Sequence, residues 1–366
     1  MTTDLPSPLR IVVLGLSITS SWGNGHATNY RALVRALTSR GHDVVFAERD
    51  VPWYAAHRDL PSPPYGWTVL YSSQPELQEE LDGEITGADL VVVGSYVPDG
   101  RDIGRWVTST ATGVTAFYDI DTPVTLAALE RGDCDYLDAD LVPAYDVYLS
   151  FTGGPTLDRL EQQLGARRAQ AFHCLVDPDT YPPVTAPLRW DLGYLGTYSE
   201  DRQPAVERLL LEPARARPDL RFVVAGPQYP AAIDWPANVE RIEHLPPDEH
   251  PAFYAAQRFT LNVTRAEMVR AGWSPSVRLF EAAACGVPVV SDRWEGLDSF
   301  FRPGEEIVIA DAAADVLAAL DDPRGLRRQT IGRAARARVL AEHTAEHRAG
   351  ELEELVRQLH RVEESA

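Results

Sequence analysis

The chain has 366 residues, 45% of them hydrophobic, and carries a net charge of −20. That length suits two α/β domains better than one core, and the acidic balance argues against nucleic-acid binding and against electrostatic docking on anionic lipid. All 34 basic residues are arginine, which excludes Schiff-base chemistry on lysine, lysine-bound pyridoxal phosphate and a Walker-type phosphate loop.

Three scattered cysteines, Cys134, Cys174 and Cys285, form neither a disulfide framework nor a metal pattern, so reduced thiols are expected. Met1–Arg10 has no apolar signal region, and no run approaches the ~20 apolar residues of a membrane helix. A cytoplasmic protein without stable membrane insertion is the expectation.

In chain order, Leu9–Ile18 is an apolar, β-branched run that predicts a first strand. The loop Thr19–His26 follows, and Tyr30, Leu33, Val34 and Leu37 then fall at helical spacing over Ala27–Arg40. Gly41 ends that helix and Val44–Phe46 predicts a second strand. Strand, glycine-containing loop, helix and strand open a Rossmann-like unit. The loop lacks GxGxxG, so Glu48 after the second strand is only a weak imitation of a dinucleotide-binding acid. Trp67–Tyr71, Leu90–Val93, Val114–Tyr118 and Val147–Phe151 predict further strands, with helices at Glu76–Leu81 and Pro123–Arg131. The alternation implies a mostly parallel sheet, with ligands at the carboxyl ends of its strands. The polar clusters there include Trp22-Gly23-Asn24-Gly25-His26 and Asp119-Ile120-Asp121. A histidine suits general-base work, and a carboxylate partner would fix its tautomer. His26 can equally be a helix-start residue bonded to a loop, and Asp121 a cap for the helix that starts near Pro123. Asp119 has no capping geometry to explain it.

Val176–Pro187 is a proline-rich connection. A second Rossmann-like unit starts at Asp191–Tyr198, where Gly196 and Thr197 leave the strand and Arg202 precedes a helix at Ala205–Leu211. Strands follow at Arg221–Gly226, Val239–His244 and Phe259–Val263, with Asn262, Thr264 and Arg265 at the end of the last. Gly272–Asp292 reads as loop, short helix, tight turn and buried strand, with Ser274 as cap and Pro275 at the first helical position. The free N–H groups of a helix start suit a diphosphate. Arg278 and Glu281, three apart, share a helix face, and a carboxylate there can accept hydrogen bonds from a sugar diol. A further strand at Glu306–Ile309, a helix at Ala312–Leu320 and an arginine-rich helical tail to Leu359 complete the chain.

The segment RLFEAAACGVPVVSD, residues 278–292, resembles the nucleotide-sugar site of GT-B glycosyltransferases, in particular the family-4-like (group 1) and spore-maturation-protein-like branch. The VDP segment at 176–178 is similar to that group's interdomain linker. The resemblance implies two Rossmann-like domains facing a central cleft and a C-terminal helix that crosses back to the first domain. The implied bounds are 1–175 for the acceptor domain, 176–190 for the linker, 191–345 for the nucleotide-sugar domain and 346–366 for the returning helix. It implies that Glu281 holds the ribose hydroxyls. Ser274, Ser276, Gly196, Thr197, Arg202, Arg265 and Arg278 would surround the diphosphate, and His244 would border the base. Trp22, Gly23, Asn24 and Gly25 would line the acceptor side, with His26, Asp119 and Asp121 as catalytic candidates.

The implied reaction is transfer from an NDP-sugar, UDP or GDP, to a soluble small-molecule acceptor. It needs no metal or further cofactor, since helix dipoles and arginines neutralise the leaving diphosphate. Retention of configuration follows from the family, whereas a His26–Asp119 base would favour inversion. Many family members grip the donor sugar with a glutamate eight residues before the ribose-binding one; here Trp273 stands in that place. An NDP-sugar epimerase or hydrolase, or a non-catalytic nucleotide-sugar-binding member, is the alternative.

Overall fold

The computed structural model describes residues 8–363, with side chains to residue 359. The signal-free N-terminus expected at Met1–Arg10 lies mostly outside this range. The chain divides into two compact units. One comprises the described residues of Met1–His173 together with Ala345–Ala366, the other Cys174–Thr344.

The first unit is built on seven strands: β1 Arg10–Gly15, β2 Asp43–Arg49, β3 Trp67–Tyr71, β4 Leu90–Gly94, β5 Val114–Asp119, β6 Val147–Ser150 and β7 Ala169–Ala171. They form one parallel sheet in the order β3-β2-β1-β4-β5-β6-β7. Every residue of β4 and β5 is buried, the continuous apolar signature of a parallel sheet covered on both faces. Strand order reverses between β1 and β4, so the loops after those strands diverge and open a crevice. β1 ends three residues before the expected Ile18 because the Ile18 and Thr19 amides bond to the Glu48 carboxylate instead of to a neighbouring strand.

The second unit carries β8 Trp190–Leu195, β9 Phe222–Ala225, β10 Val239–Ile242, β11 Gln257–Asn262, β12 Val289–Ser291 and β13 Val308–Ile309. These too are parallel, in the order β10-β9-β8-β11-β12-β13. The reversal here lies between β8 and β11, and the loops that leave those two strands are Gly196–Arg202 and Val263–Arg265.

Several elements differ from the sequence reading. The edge strand β7 and the helices Gly100–Thr110, Pro155–Leu164 and Ala266–Ala271 were not anticipated. Of these, β7 is three half-buried residues with no apolar run to announce it. The helix expected to start at Pro275 spans Val277–Ala284, with Ser276 in the N-cap position and no side-chain cap bond. Gly272 and Trp273 both have positive φ, and the Trp273 amide is tied to the Glu295 carbonyl at 2.6 Å, which turns the chain aside before the helix begins. Ser274 is therefore a buried residue rather than the cap. The tail is two helices, Leu326–Glu342 and Ala345–Glu363, and the second packs in the first unit against the helix His26–Ser39. Among the described residues no helix is long and apolar enough to cross a membrane.

Candidate functional site

In the first unit, the loops at the strand-order reversal bring His26, Tyr96 and Asp121 together. His26 starts the helix after β1, Tyr96 follows β4, and Asp121 follows β5. His26 Nε2 lies 3.9 Å from Asp121 Oδ2, with side-chain exposures of 14% and 17%. The Tyr96 hydroxyl donates to the same carboxylate oxygen at 3.2 Å, and its ring sits 5.5 Å from the His26 ring. Tyr96 has φ +64°, a conformation that costs an aromatic residue on the order of 1–3 kcal/mol and that aims its side chain at Asp121. Asp121 makes no side-chain cap bond to the helix it precedes.

Asp119 plays a different part from the one its position suggested. It is fully buried and accepts from Tyr148 Oη at 2.5 Å, Thr125 Oγ1 at 2.8 Å and the Asp121 amide at 3.2 Å. Burial pushes its carboxyl up to about 6. Asp121, not Asp119, is the carboxylate beside His26; Asp119 holds the turn that presents it.

The preceding loop is similarly braced. The Asn24 side chain accepts the His26 amide at 3.0 Å, Trp22 stacks on His57 at 4.5 Å, and Gly23 supplies a turn at φ +61°. Gly25 precedes the helix. Glu48 is fully buried and receives Ile18 N, Thr19 N and Thr19 Oγ1 at 2.7, 2.9 and 2.6 Å, so it is a loop anchor and not a ribose acid. Beside Tyr96, a cavity of about 380 Å³ is lined in part by Val97, Val124, Ala128, Cys134 and Tyr136.

In the second unit Glu281 is only 6% exposed. Its two carboxylate oxygens accept one hydroxyl each, from Tyr181 at 2.8 Å and Tyr254 at 3.1 Å. Arg278 does not pair with it. The guanidinium donates instead to the Leu195 carbonyl at 2.5 Å and to Asn262 Oδ1 at 2.8 Å, and lies 4.8 Å over the Tyr194 ring. Ser276 Oγ donates to the same Asn262 oxygen at 2.7 Å. Arg278, Ser276 and Asn262 thus form one polar cluster at the ends of β8 and β11.

Thr197 and Arg202 lie in the loop after β8, where Arg202 Nη2 donates to the Thr197 carbonyl at 2.9 Å. Arg202 Nε has no hydrogen-bond partner among the described residues. Arg265 Nε is 3.8 Å from Asp201. Gly196 is enclosed: a Cβ there would sit 2.8 Å from Tyr194 Oη and 3.0 Å from Arg278 Nη2. His244 is exposed in the loop after β10, and the neighbouring His250, not His244, reaches Tyr181 Oη at 3.3 Å. Trp273 has φ +42° with its ring against Gly296.

Sequence reasoning missed Tyr96, Tyr181, Tyr254 and Arg241. Arg241 donates to the Val224 and Gly226 carbonyls and lies between the Tyr229 and Trp235 rings at 4.1 and 4.6 Å, fixing the loop after β9. Only Tyr181 carried a signal, as the aromatic residue within the proline-rich linker.

Residues 202–354 match the family model described as "Glycosyl transferase-like". Solved structures share the fold over nearly the whole chain. Sucrose-phosphate synthase from Thermosynechococcus elongatus is 16% identical with a TM-score of 0.68, covering 96% of this chain and 99% of that one. HepE from Anabaena, in complex with UDP and glucose, is 12% identical with a TM-score of 0.68, covering 96% and 100%. An alpha-glucosyltransferase in complex with UDP is 11% identical with a TM-score of 0.72, covering 95% and 100%. No curated protein matches in sequence. The chain has the GT-B fold, and residues 202–354 are similar to glycosyl transferase-like sequences.

Proposed function

We propose that this protein transfers a sugar from a UDP-sugar to a hydroxyl of a soluble small-molecule acceptor, without a metal ion. The observation that carries the donor half is Glu281, a buried carboxylate one turn into the helix Val277–Ala284, beside the cluster of Arg278, Ser276 and Asn262. A buried carboxylate needs donors, and the cis-diol of a ribose supplies two. The N-terminus of that helix with Arg278, Arg202 and Arg265 offers positive charge to a diphosphate. UDP is favoured over GDP because two of the structures that share the fold hold UDP.

In the reaction the acceptor oxygen attacks the anomeric carbon, the bond from that carbon to the diphosphate breaks, and UDP leaves with the electron pair. His26 takes the acceptor proton and Asp121 stabilises the imidazolium. The family likeness favours retention. The 3.9 Å His26–Asp121 contact favours inversion, because a base serving the acceptor is what a single displacement needs. NMR of the product's anomeric proton separates the two.

Glu281→Ala should abolish UDP binding in titration calorimetry. Unchanged affinity would sink the donor-site assignment. A thermal-shift panel of NDP-sugars identifies the donor, since a ligand that binds only the native state raises stability.

A further inference from the structure

We infer that Tyr181 and Tyr254 are positioning residues that set the preference of this site for ribonucleotide over 2′-deoxyribonucleotide donors, an inference that rests on the reading of Glu281 as the ribose ligand. An ionised carboxylate has about four lone-pair directions, two on each oxygen. Here each oxygen of Glu281 already accepts one tyrosine hydroxyl, Oε1 from Tyr181 and Oε2 from Tyr254. One direction is left on each oxygen. The carboxylate plane is fixed, and its remaining capacity is one acceptor per oxygen, which matches a vicinal diol with one hydroxyl to each.

Both tyrosines are themselves immobilised. Tyr181 and Tyr254 are 3% and 0% exposed. Burial and the neighbouring Glu281 charge hold both phenols far above their ordinary value, so they are neutral donors throughout the working pH range. Behind Tyr181, His250 Nδ1 lies 3.3 Å from its hydroxyl, while His250 Nε2 lies 3.3 Å from the Leu245 carbonyl. Burial lowers the His250 imidazole, which favours its neutral form. With Nε2–H donating to Leu245, Nδ1 is an acceptor, so the Tyr181 hydroxyl is shared between Glu281 and His250.

The consequence is a ligand rule. A donor with both hydroxyls satisfies both oxygens of a carboxylate that water barely reaches, whereas one lacking the 2′-hydroxyl leaves an oxygen short of a charge-assisted bond. If one tyrosine hydroxyl is removed, the carboxylate is freed to rotate and no longer holds one oxygen to each ribose hydroxyl, so the 2′-hydroxyl loses its dedicated acceptor. Ribonucleotide affinity then falls and the penalty for the deoxy sugar shrinks.

The test is titration calorimetry of UDP and dUDP against the full chain and its Tyr181→Phe, Tyr254→Phe and Glu281→Gln variants. The wild type should bind UDP roughly tenfold or more tighter than dUDP, the size of one charge-assisted hydrogen bond. Each tyrosine variant should weaken UDP while compressing the UDP/dUDP ratio severalfold towards one. Equal weakening of both nucleotides, an unchanged ratio or an increased ratio overturns the inference, because loss of fold or packing acts on both alike. The Glu281→Gln variant separates this from failure of the underlying reading. If it collapses the ratio while the tyrosine variants do not, Glu281 binds ribose and the tyrosines do not direct it. If it changes neither ratio nor affinity, the ribose reading itself fails. Phenylalanine keeps the ring, and thermal unfolding of each variant confirms the fold; should one variant not fold, the other carries the test.

Discussion

His26 opens the helix that follows β1 and Asp121 lies just past β5, and their side chains meet at 3.9 Å. Asp121 makes no cap bond, and His26 Nδ1 has no hydrogen-bond partner among the described residues. His26→Ala should lower kcat by about 10²-fold or more, the usual worth of a positioned base, with UDP affinity nearly unchanged. Asp121→Asn should follow it with a smaller loss. Steady-state kinetics beside calorimetry decide the matter: an equal loss of turnover and donor affinity would make His26 a structural residue. The sequence reading proposed His26 as a base and left its partner open between Asp119 and Asp121. Strand β5 ends at Asp119, so its side chain turns inward to Tyr148 and Thr125, whereas the residue two further on lies past the strand end and meets the histidine.

At the scale of the element, the proposed donor site depends on two loops in close contact. Gly226 has φ +143°, and a Cβ there would lie 2.1 Å from the Gly196 carbonyl oxygen, a clash of backbone with backbone. Tyr229 Oη donates to the same carbonyl at 3.0 Å. Gly226→Ala should therefore displace the loop that bears Thr197 and Arg202, costing about 3 kcal/mol or more and raising the UDP Kd. Denaturant unfolding and calorimetry measure both. Gly83→Ala is the control, since it lies in the helix Gln74–Gly87 with nothing within 4 Å of an added Cβ. It should be neutral or stabilising by up to about 1 kcal/mol.

Across the whole molecule, the chain's last helix completes the first unit. Glu353 on that helix is 2% exposed and accepts from the Arg40 guanidinium and, at 2.8 Å, from His42 Nε2. His42 Nδ1 accepts the Leu9 amide at 3.0 Å, which makes Nε2 the donor to Glu353. The hydrogen bond from Arg40, reinforced by His42, holds the Glu353 carboxyl down at about 2. A carboxyl lower in the folded than in the unfolded state stabilises fully above the unfolded value of roughly 4.3, and that contribution is lost as pH falls towards 2. Glu353→Gln should thus destabilise the protein by on the order of 2 kcal/mol at pH 7, with the gap to wild type closing between about pH 4.5 and pH 2. Urea unfolding across that range tests it, and a gap independent of pH would show that the ion pair contributes nothing.

The sequence by itself determined the architecture and marked the helix that carries Glu281 as the proposed donor site. Short, β-branched apolar runs such as Leu90–Val93 point to buried strands, their alternation with helices implies parallel sheets, and the local run around Glu281 marks the segment that bears the ribose candidate. These are short-range signals, carried by neighbouring residues and their periodicity. Which side chains meet was decided only by the tertiary structure. Tyr181, Tyr254 and Glu281 are separated by 27 to 100 positions, and His26 lies 95 residues before Asp121. Their contacts follow from how the elements pack in three dimensions, a long-range property that no local pattern encodes.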